Sequence, residues 1–242
     1  MEIIPAIDLR GGRCVRLYQG DFNQEQVYSE NPTEVAKAFE ENGATRLHIV
    51  DLDGAAQGYP VNLEIYREIA KSSQIPIQVG GGIRTKESAS RVIDAGIDRL
   101  VLGTSSVEDP AIVESLCSEY GMDALAISLD TRDGMVAVRG WKETTPVTAV
   151  GLISEMASMG VRNFIFTDIS RDGTLTEPNW EKIIIIVNQA RTLAVEVIAS
   201  GGISSVSQLR ELANVGVHGA IIGKALYAGT FSLRDALVAV RV

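Results

Sequence analysis

Apolar positions along this chain fall into short continuous runs rather than strict alternation. The runs predict strands near 3–8 (IIPAID), 46–52 (RLHIVDL), 75–80 (IPIQVG) and 99–103 (RLVLG). A second set is predicted near 123–130 (DALAISLD), 162–168 (RNFIFTD), 194–200 (AVEVIAS) and 219–223 (GAIIG). Continuous apolar strands suit a parallel sheet buried on both faces. Between them apolar residues recur at helical spacing, for example over 32–42 and 86–95. Gly43 and Gly96 follow these two segments, where a left-handed residue commonly ends a helix. Asn31-Pro32 and Asp109-Pro110 read as helix starts, with a capping side chain before a proline.

The pattern repeats. Gly81-Gly82-Ile83 returns as Gly201-Gly202-Ile203, and Leu102-Gly103 as Ile222-Gly223, both 120 residues later. Asp8-x-Arg10-x-Gly12 returns as Asp130-x-Arg132-x-Gly134, and Val50-Asp51 as Thr167-Asp168. Four matches in one order point to two similar halves, about 1–122 and 123–242. Eight βα units with right-handed crossovers close into a (β/α)8 (TIM) barrel, the expected α/β fold, as one domain over 1–242. A doubly wound open sheet explains the alternation of strands and helices but not the twofold repeat.

Composition narrows the function. The 242 residues are 45% hydrophobic and 22% charged, enough for one large core and unlike a disordered or collagen-like chain. The net charge of −9 excludes a general basic footprint for nucleic acid. It leaves anion binding by local glycine loops and helix ends open. Cys14 and Cys117 are too few for a disulfide framework, and no Cys/His spacing suits zinc. The start of the chain shows no signal-peptide pattern, and no apolar run reaches ~18 residues. The expectation is a cytoplasmic protein with neither nucleic acid nor membrane as partner.

In a barrel, chemistry sits at the C-terminal ends of strands and in the loops that follow. Asp8 and Asp130 end the first and fifth strands, on opposite sides of the mouth. One carboxyl can then remove a proton while the other donates one, although Asp also favours turns for its own sake. Gly81, Gly82 and Gly103 follow the third and fourth strands, and Gly201, Gly202 and Gly223 follow the seventh and eighth. With Thr104 and Lys224 they predict two phosphate sites facing each other, so a ligand with a phosphate at each end would place its middle between the two aspartates. Arg84 adds a charge to the first site, and Arg16 follows the first strand and faces the ligand. Arg139-Gly140-Trp141 lies in the loop after the fifth strand, where Trp141 can cover a flat ring. Thr167 can hydrogen-bond a reacting group, and Asp168 begins the loop 169–174 (ISRDGT). Alternation from Asp51 points His48 away from the mouth, and His218 belongs to the opposite rim. Cys14 reads as a loop residue and Cys117 as part of a helix core, both inert.

IIPAIDLRGGRCVRLYQGD, LHIVDLDGA, VGGGIR, VLGT, FTDISRDGT, ASGGI and IIGKALYAG together cover almost the whole chain. As an ordered set they resemble the phosphoribosylformimino-5-aminoimidazole-4-carboxamide ribotide isomerases of histidine biosynthesis. The resemblance implies an Amadori rearrangement of an aminoaldose to an aminoketose, without metal or organic cofactor, in a monomer. It makes Asp8 the proton acceptor and Asp130 the proton donor, with Thr167 supporting the reacting centre. It places Arg16, Gly82, Arg84, Trp141 and Asp168 against the substrate. The cyclase subunit of imidazole glycerol phosphate synthase resembles it less, since its first strand carries Cys-Leu-Asp where this chain has Ala6-Ile7-Asp8. Phosphoribosylanthranilate isomerases carry Cys where Asp8 stands. The Arg139-Gly140-Trp141 segment also resembles a bifunctional actinobacterial type that accepts both substrates.

Overall fold

The computed structural model describes residues 1–240. Its strands are β1 (Glu2–Arg10), β2 (Arg13–Tyr18), β3 (Asp21–Ser29), β4 (Leu47–Asp51), β5 (Ile77–Gly80) and β6 (Arg99–Leu102). They continue as β7 (Leu125–Arg132), β8 (Met135–Val138), β9 (Glu143–Thr148), β10 (Asn163–Asp168), β11 (Glu196–Ser200) and β12 (Gly219–Ile222). The parallel strands run in the order β1-β4-β5-β6-β7-β10-β11-β12. β12 pairs back onto β1, with Ile4 opposite Ile221, so the expected (β/α)8 barrel closes and leaves no free edge in the ring.

Closure explains the continuous apolar runs. On β1, Ile4 and Ala6 point inward and join Val101, Ala126, Ile165, Ile198 and Ile221 in a cluster inside the barrel. Ile3, Ile7 and Leu9 point outward and pack under the helices. The two-residue period of a strand divides the run between these two cores. Asp8 is the next inward position after Ile4 and Ala6, so the same alternation that fills the barrel delivers a carboxyl to its mouth. No helix among the described residues is long and apolar enough to cross a membrane.

Helix Pro32–Glu41 starts as expected, with the Asn31 side chain accepting from the Glu34 amide at 3.3 Å. Helix Pro110–Tyr120 starts at Asp109-Pro110, but Asp109 makes no side-chain cap bond. Helices Lys86–Asp94 and Val206–Val215 each open with a capping box, Thr85 with Ser88 and Ser205 with Gln208.

Two antiparallel hairpins, β2–β3 and β8–β9, rise from the ends of β1 and β7. Neither is expected from the apolar pattern, because β3 and β9 are polar and partly exposed. Their signal lies in the turns. Gly11-Gly12 (φ +55° and +79°) and Asp133-Gly134 (φ +52° and +81°) are two-residue connections of the kind that match strand twist. Both lie inside the repeated Asp-x-Arg-x-Gly motif. The hairpins place Cys14 in a buried strand rather than a loop, and Arg139-Gly140-Trp141 at a hairpin tip.

Candidate active site

The turn at Gly11-Gly12 folds β2 back along β1 with Val15 opposite Asp8. Arg16 therefore lies over the C-terminal end of β1. Its Nη1 donates to Asp8 Oδ2 at 2.6 Å and its Nη2 to the Ala6 carbonyl at 2.6 Å. Burial raises the pKa of Asp8, and the Arg16 guanidinium pulls it back down through its charge and hydrogen bond. This is a buried pair in the cleft, not a surface one.

Asp130 ends the inward row Ala126-Ser128-Asp130 on β7, and no cation acts on it among the described residues. Burial raises its pKa, opposed by hydrogen bonds from Trp141, Ser128 and Thr167. The Trp141 Nε1 donates to Asp130 Oδ2 at 3.0 Å. Thr167 on β10 lies opposite Asp130 in register and is buried.

A third carboxyl joins them. Asp172 lies half-buried in the loop after β10 and lines the cleft. Burial and the neighbouring Asp8 push its pKa up to about 6; Arg16 opposes the shift, and Asp130 adds to it. Sequence reasoning passed over this residue. The available signal was Asp172-Gly173 in the loop after β10, matching Asp53-Gly54 after β4.

The glycine loops occupy opposite quarters of the rim, after β5–β6 and after β11–β12. Gly81 and Gly82 have φ of +111° and +80°, and Gly201 and Gly202 +86° and +77°. A side chain does not fit at the second of each pair. A Cβ on Gly82 would lie 2.6 Å from the Tyr59 carbonyl oxygen, and one on Gly202 2.5 Å from that of Glu177. Gly103 (φ −112°, ψ −88°) and Gly223 (φ −107°, ψ −98°) share one conformation before short helices Thr104–Glu108 and Lys224–Tyr227. All six glycines line the cleft.

The expected charged neighbours are placed unevenly. Arg84 lines the cleft and donates to the Ala55 carbonyl at 3.5 Å. Lys224 donates to the Gly173 carbonyl at 2.7 Å. Thr104 Oγ1 accepts from the Arg139 amide at 2.8 Å, which ties the β8–β9 hairpin to the first glycine site. Above the mouth the two hairpins meet, with the Trp141 ring packed on Gly20, where a Cβ would lie 2.5 Å from the ring.

Asp168 differs from its expected place against a substrate. Thr167 points inward, so its neighbour on the strand points outward. The Asp168 side chain is buried away from the cleft. It accepts from the Ser170 amide and hydroxyl, Asn179 Nδ2 and Lys182 Nζ at 2.6–3.0 Å. Asp51 has the matching position on β4, accepting from the Gly54, Val61 and Asn62 amides. These aspartates hold the loops that pack beneath Gly82 and Gly202. The same alternation turns His48 inward. It lines the cleft, contrary to the expectation drawn from Asp51, and its Nδ1 lies 3.0 Å from Gln78 Nε2. Burial, with Arg16 nearby, pushes its pKa down to about 3, so the ring is neutral.

A family model described as "Histidine biosynthesis protein" matches residues 2–232. The chain is 52% identical over 236 residues to a protein of Dehalococcoides mccartyi (strain CBDB1), covering 98% of this chain and 95% of that one. It is 52% identical over 239 residues to one of Roseiflexus castenholzii, covering 99% of each. A protein of Crocosphaera subtropica is 51% identical over 243 residues, covering 99% of this chain and 93% of its own. All three are named 1-(5-phosphoribosyl)-5-((5-phosphoribosylamino)methylideneamino) imidazole-4-carboxamide isomerase.

Proposed function

The chain belongs to the histidine biosynthesis protein family, and we propose that its cleft isomerises the aminoaldose for which its relatives are named to the corresponding aminoketose. The observation that carries this reading is the pair of opposed carboxyls, Asp8 on β1 against Asp130 on β7, with Asp172 beside Asp8, between two matched sets of glycine loops. A substrate with a phosphoribosyl group at each end fits that layout. One phosphate would meet the amides around Gly81, Gly82 and Gly103 with Arg84. The other would meet those around Gly201, Gly202 and Gly223 with Lys224.

The reaction needs a proton delivered and a proton removed. Protonation of the ribose ring oxygen breaks its bond to C1′ as the amino nitrogen supplies its electron pair, giving an open-chain Schiff base. Removal of the C2′ proton sends the C–H electrons toward the iminium and gives an enolamine. Return of a proton to C1′, with loss of the enol proton, gives the ketose. No electrons enter or leave.

Asp8 suits proton removal because Arg16 holds a positive charge against it. Asp130 is assigned the proton donor, since burial without a cation favours its protonated form. Asp172 is coupled most strongly to Asp8, whose charge adds to burial in holding a proton on Asp172, and more weakly to Asp130. Thr167 and Trp141 orient Asp130.

The relatives' names favour the histidine-pathway substrate over a two-substrate enzyme. The test is turnover of the purified protein with the aminoaldose, beside Asp130→Asn and Asp172→Asn. The proposal expects ketose from the wild type and a loss of ~10²-fold or more in Asp130→Asn. Absence of ketose from the folded wild type would overturn the assignment. Undiminished turnover in Asp130→Asn, with a large loss in Asp172→Asn, would move the donor role to Asp172.

A further inference from the structure

Tyr227 ends the short helix Lys224–Tyr227 that follows the Gly223 loop. Its ring lies under the Arg16 guanidinium, 5.0 Å from Cζ to the ring centroid. Its hydroxyl donates to the Ala6 carbonyl at 3.1 Å, the same oxygen that accepts from Arg16 Nη2. The ring is braced behind by Tyr28 of β3 at 4.9 Å and by Phe39 of helix Pro32–Glu41 at 5.8 Å.

Arg16 needs that brace. Its hydrogen bonds go to Asp8 and to the shared Ala6 carbonyl, and its buried Nε has no partner among the described residues. The Gly223 backbone limits it on another side, where a Cβ would lie 2.5 Å from Arg16 Cζ. A guanidinium held at one edge can still swing about its long stem. The aromatic face supplies a cation–π contact in a desolvated place, where such contacts are strongest. The other groups around the pair do not substitute for it. Burial pushes Cys14 on β2 up to about 12, and His48 on β4 is neutral. Asp172 after β10 draws on the guanidinium by its charge but makes no hydrogen bond to it among the described residues, Asp130 on β7 bonds Trp141 instead, and Lys224 is engaged with the Gly173 carbonyl.

We propose that Tyr227 is a positioning residue for the isomerisation, acting through Arg16 to hold the counter-charge against Asp8. The inference rests on the reading of Asp8 as the base. It adds that one short segment carries both ends of the device, since Lys224 begins the helix at the phosphate loop and Tyr227 ends it under Arg16.

The test is kcat/KM against pH for the wild type, Tyr227→Leu and Tyr227→Phe, each checked for folding by circular dichroism. Removing the ring frees Arg16, so the acid limb of Tyr227→Leu moves up by about one pH unit. Tyr227→Phe keeps the ring and returns the limb toward the wild-type position. Replacement of Tyr227 by phenylalanines of increasing ring fluorination keeps the shape and weakens the π face, so the limb climbs with fluorine number. That series decides the matter if Tyr227→Leu does not fold. A limb unmoved in folded Tyr227→Leu, or unmoved along the fluorine series, overturns the proposal. Asp8→Asn is run in parallel: full turnover there removes the base assignment itself, a different result from a silent Tyr227 series.

Discussion

The substitution Gly82→Ala probes the first glycine site with a single carbon. At φ +80° an L residue costs about 1–2 kcal/mol relative to its preferred backbone. The added Cβ would also lie 2.6 Å from the Tyr59 carbonyl oxygen and 2.7 Å from that of Gly54. Both are backbone atoms of the loop held by Asp51, so no side-chain rotation relieves the contact, and forced repacking costs a further ~1–3 kcal/mol. The total is roughly 2–5 kcal/mol. Gly134→Ala is the control. It has φ +81° and nothing within 4 Å of the added carbon, so it carries the backbone cost alone. Urea unfolding of both variants separates the two contributions. If the amides of this loop hold a phosphate, the displaced backbone raises KM for the aminoaldose about tenfold or more, which by the affinity relation is ~1.4 kcal/mol. Gly134→Ala keeps the wild-type KM. Equal stability losses in the two variants, with KM unchanged in Gly82→Ala, would refute the reasoning.

Asp172→Asn makes the free protein more stable at neutral pH. The folded pKa of Asp172 is about 6, above its ordinary value of 3.8. The folded state therefore binds this proton more tightly, and its contribution is present below about pH 4 and lost as pH rises to about 6. The variant gains up to about 3 kcal/mol above that window and little at pH 4, measured by urea melts at each pH. Trp141→Phe keeps a ring over Gly20 but removes the 3.0 Å donor to Asp130, so kcat falls about tenfold or more while thermal stability changes little. Asp168→Ala unpairs Lys182, Asn179 and Ser170. It costs ~2–4 kcal/mol in unfolding, less than a fully buried pair because Lys182 is partly exposed, and reduces kcat/KM far less than Asp8→Asn.

Much of this layout was readable from residue types and spacing. Apolar runs long enough for strands but buried on both faces implied a parallel ring, and the 120-residue repeat implied its closure. Asp8 and Asp130 follow from the inward parity of their strands. Strand parity also accounts for the residues whose side chains face the other way. With Asp51 turned outward, alternation turns His48 inward, and Asp168, which the resemblance places against the substrate, points outward because Thr167 takes the inward place. The hairpins were missed because their strands are too polar to leave an apolar run, although Gly11-Gly12 and Asp133-Gly134 carried the turn signal. Asp172 could not be found by periodicity. It sits in an irregular loop, and only the folded chain brings it beside Asp8 and Asp130. The buried Arg16–Asp8 pair depends on hairpin register and was invisible for the same reason.

The most direct test of the central claim follows the C2′ hydrogen itself. Aminoaldose carrying deuterium at C2′ is converted by the wild type and by Asp8→Asn, with ketose formation and loss of label to solvent recorded together. With Asp8 as the base, the wild type releases the label as ketose forms, and Asp8→Asn slows both by ~10²–10⁴-fold while remaining folded. Release of the C2′ label by Asp8→Asn within tenfold of the wild-type rate would contradict the account.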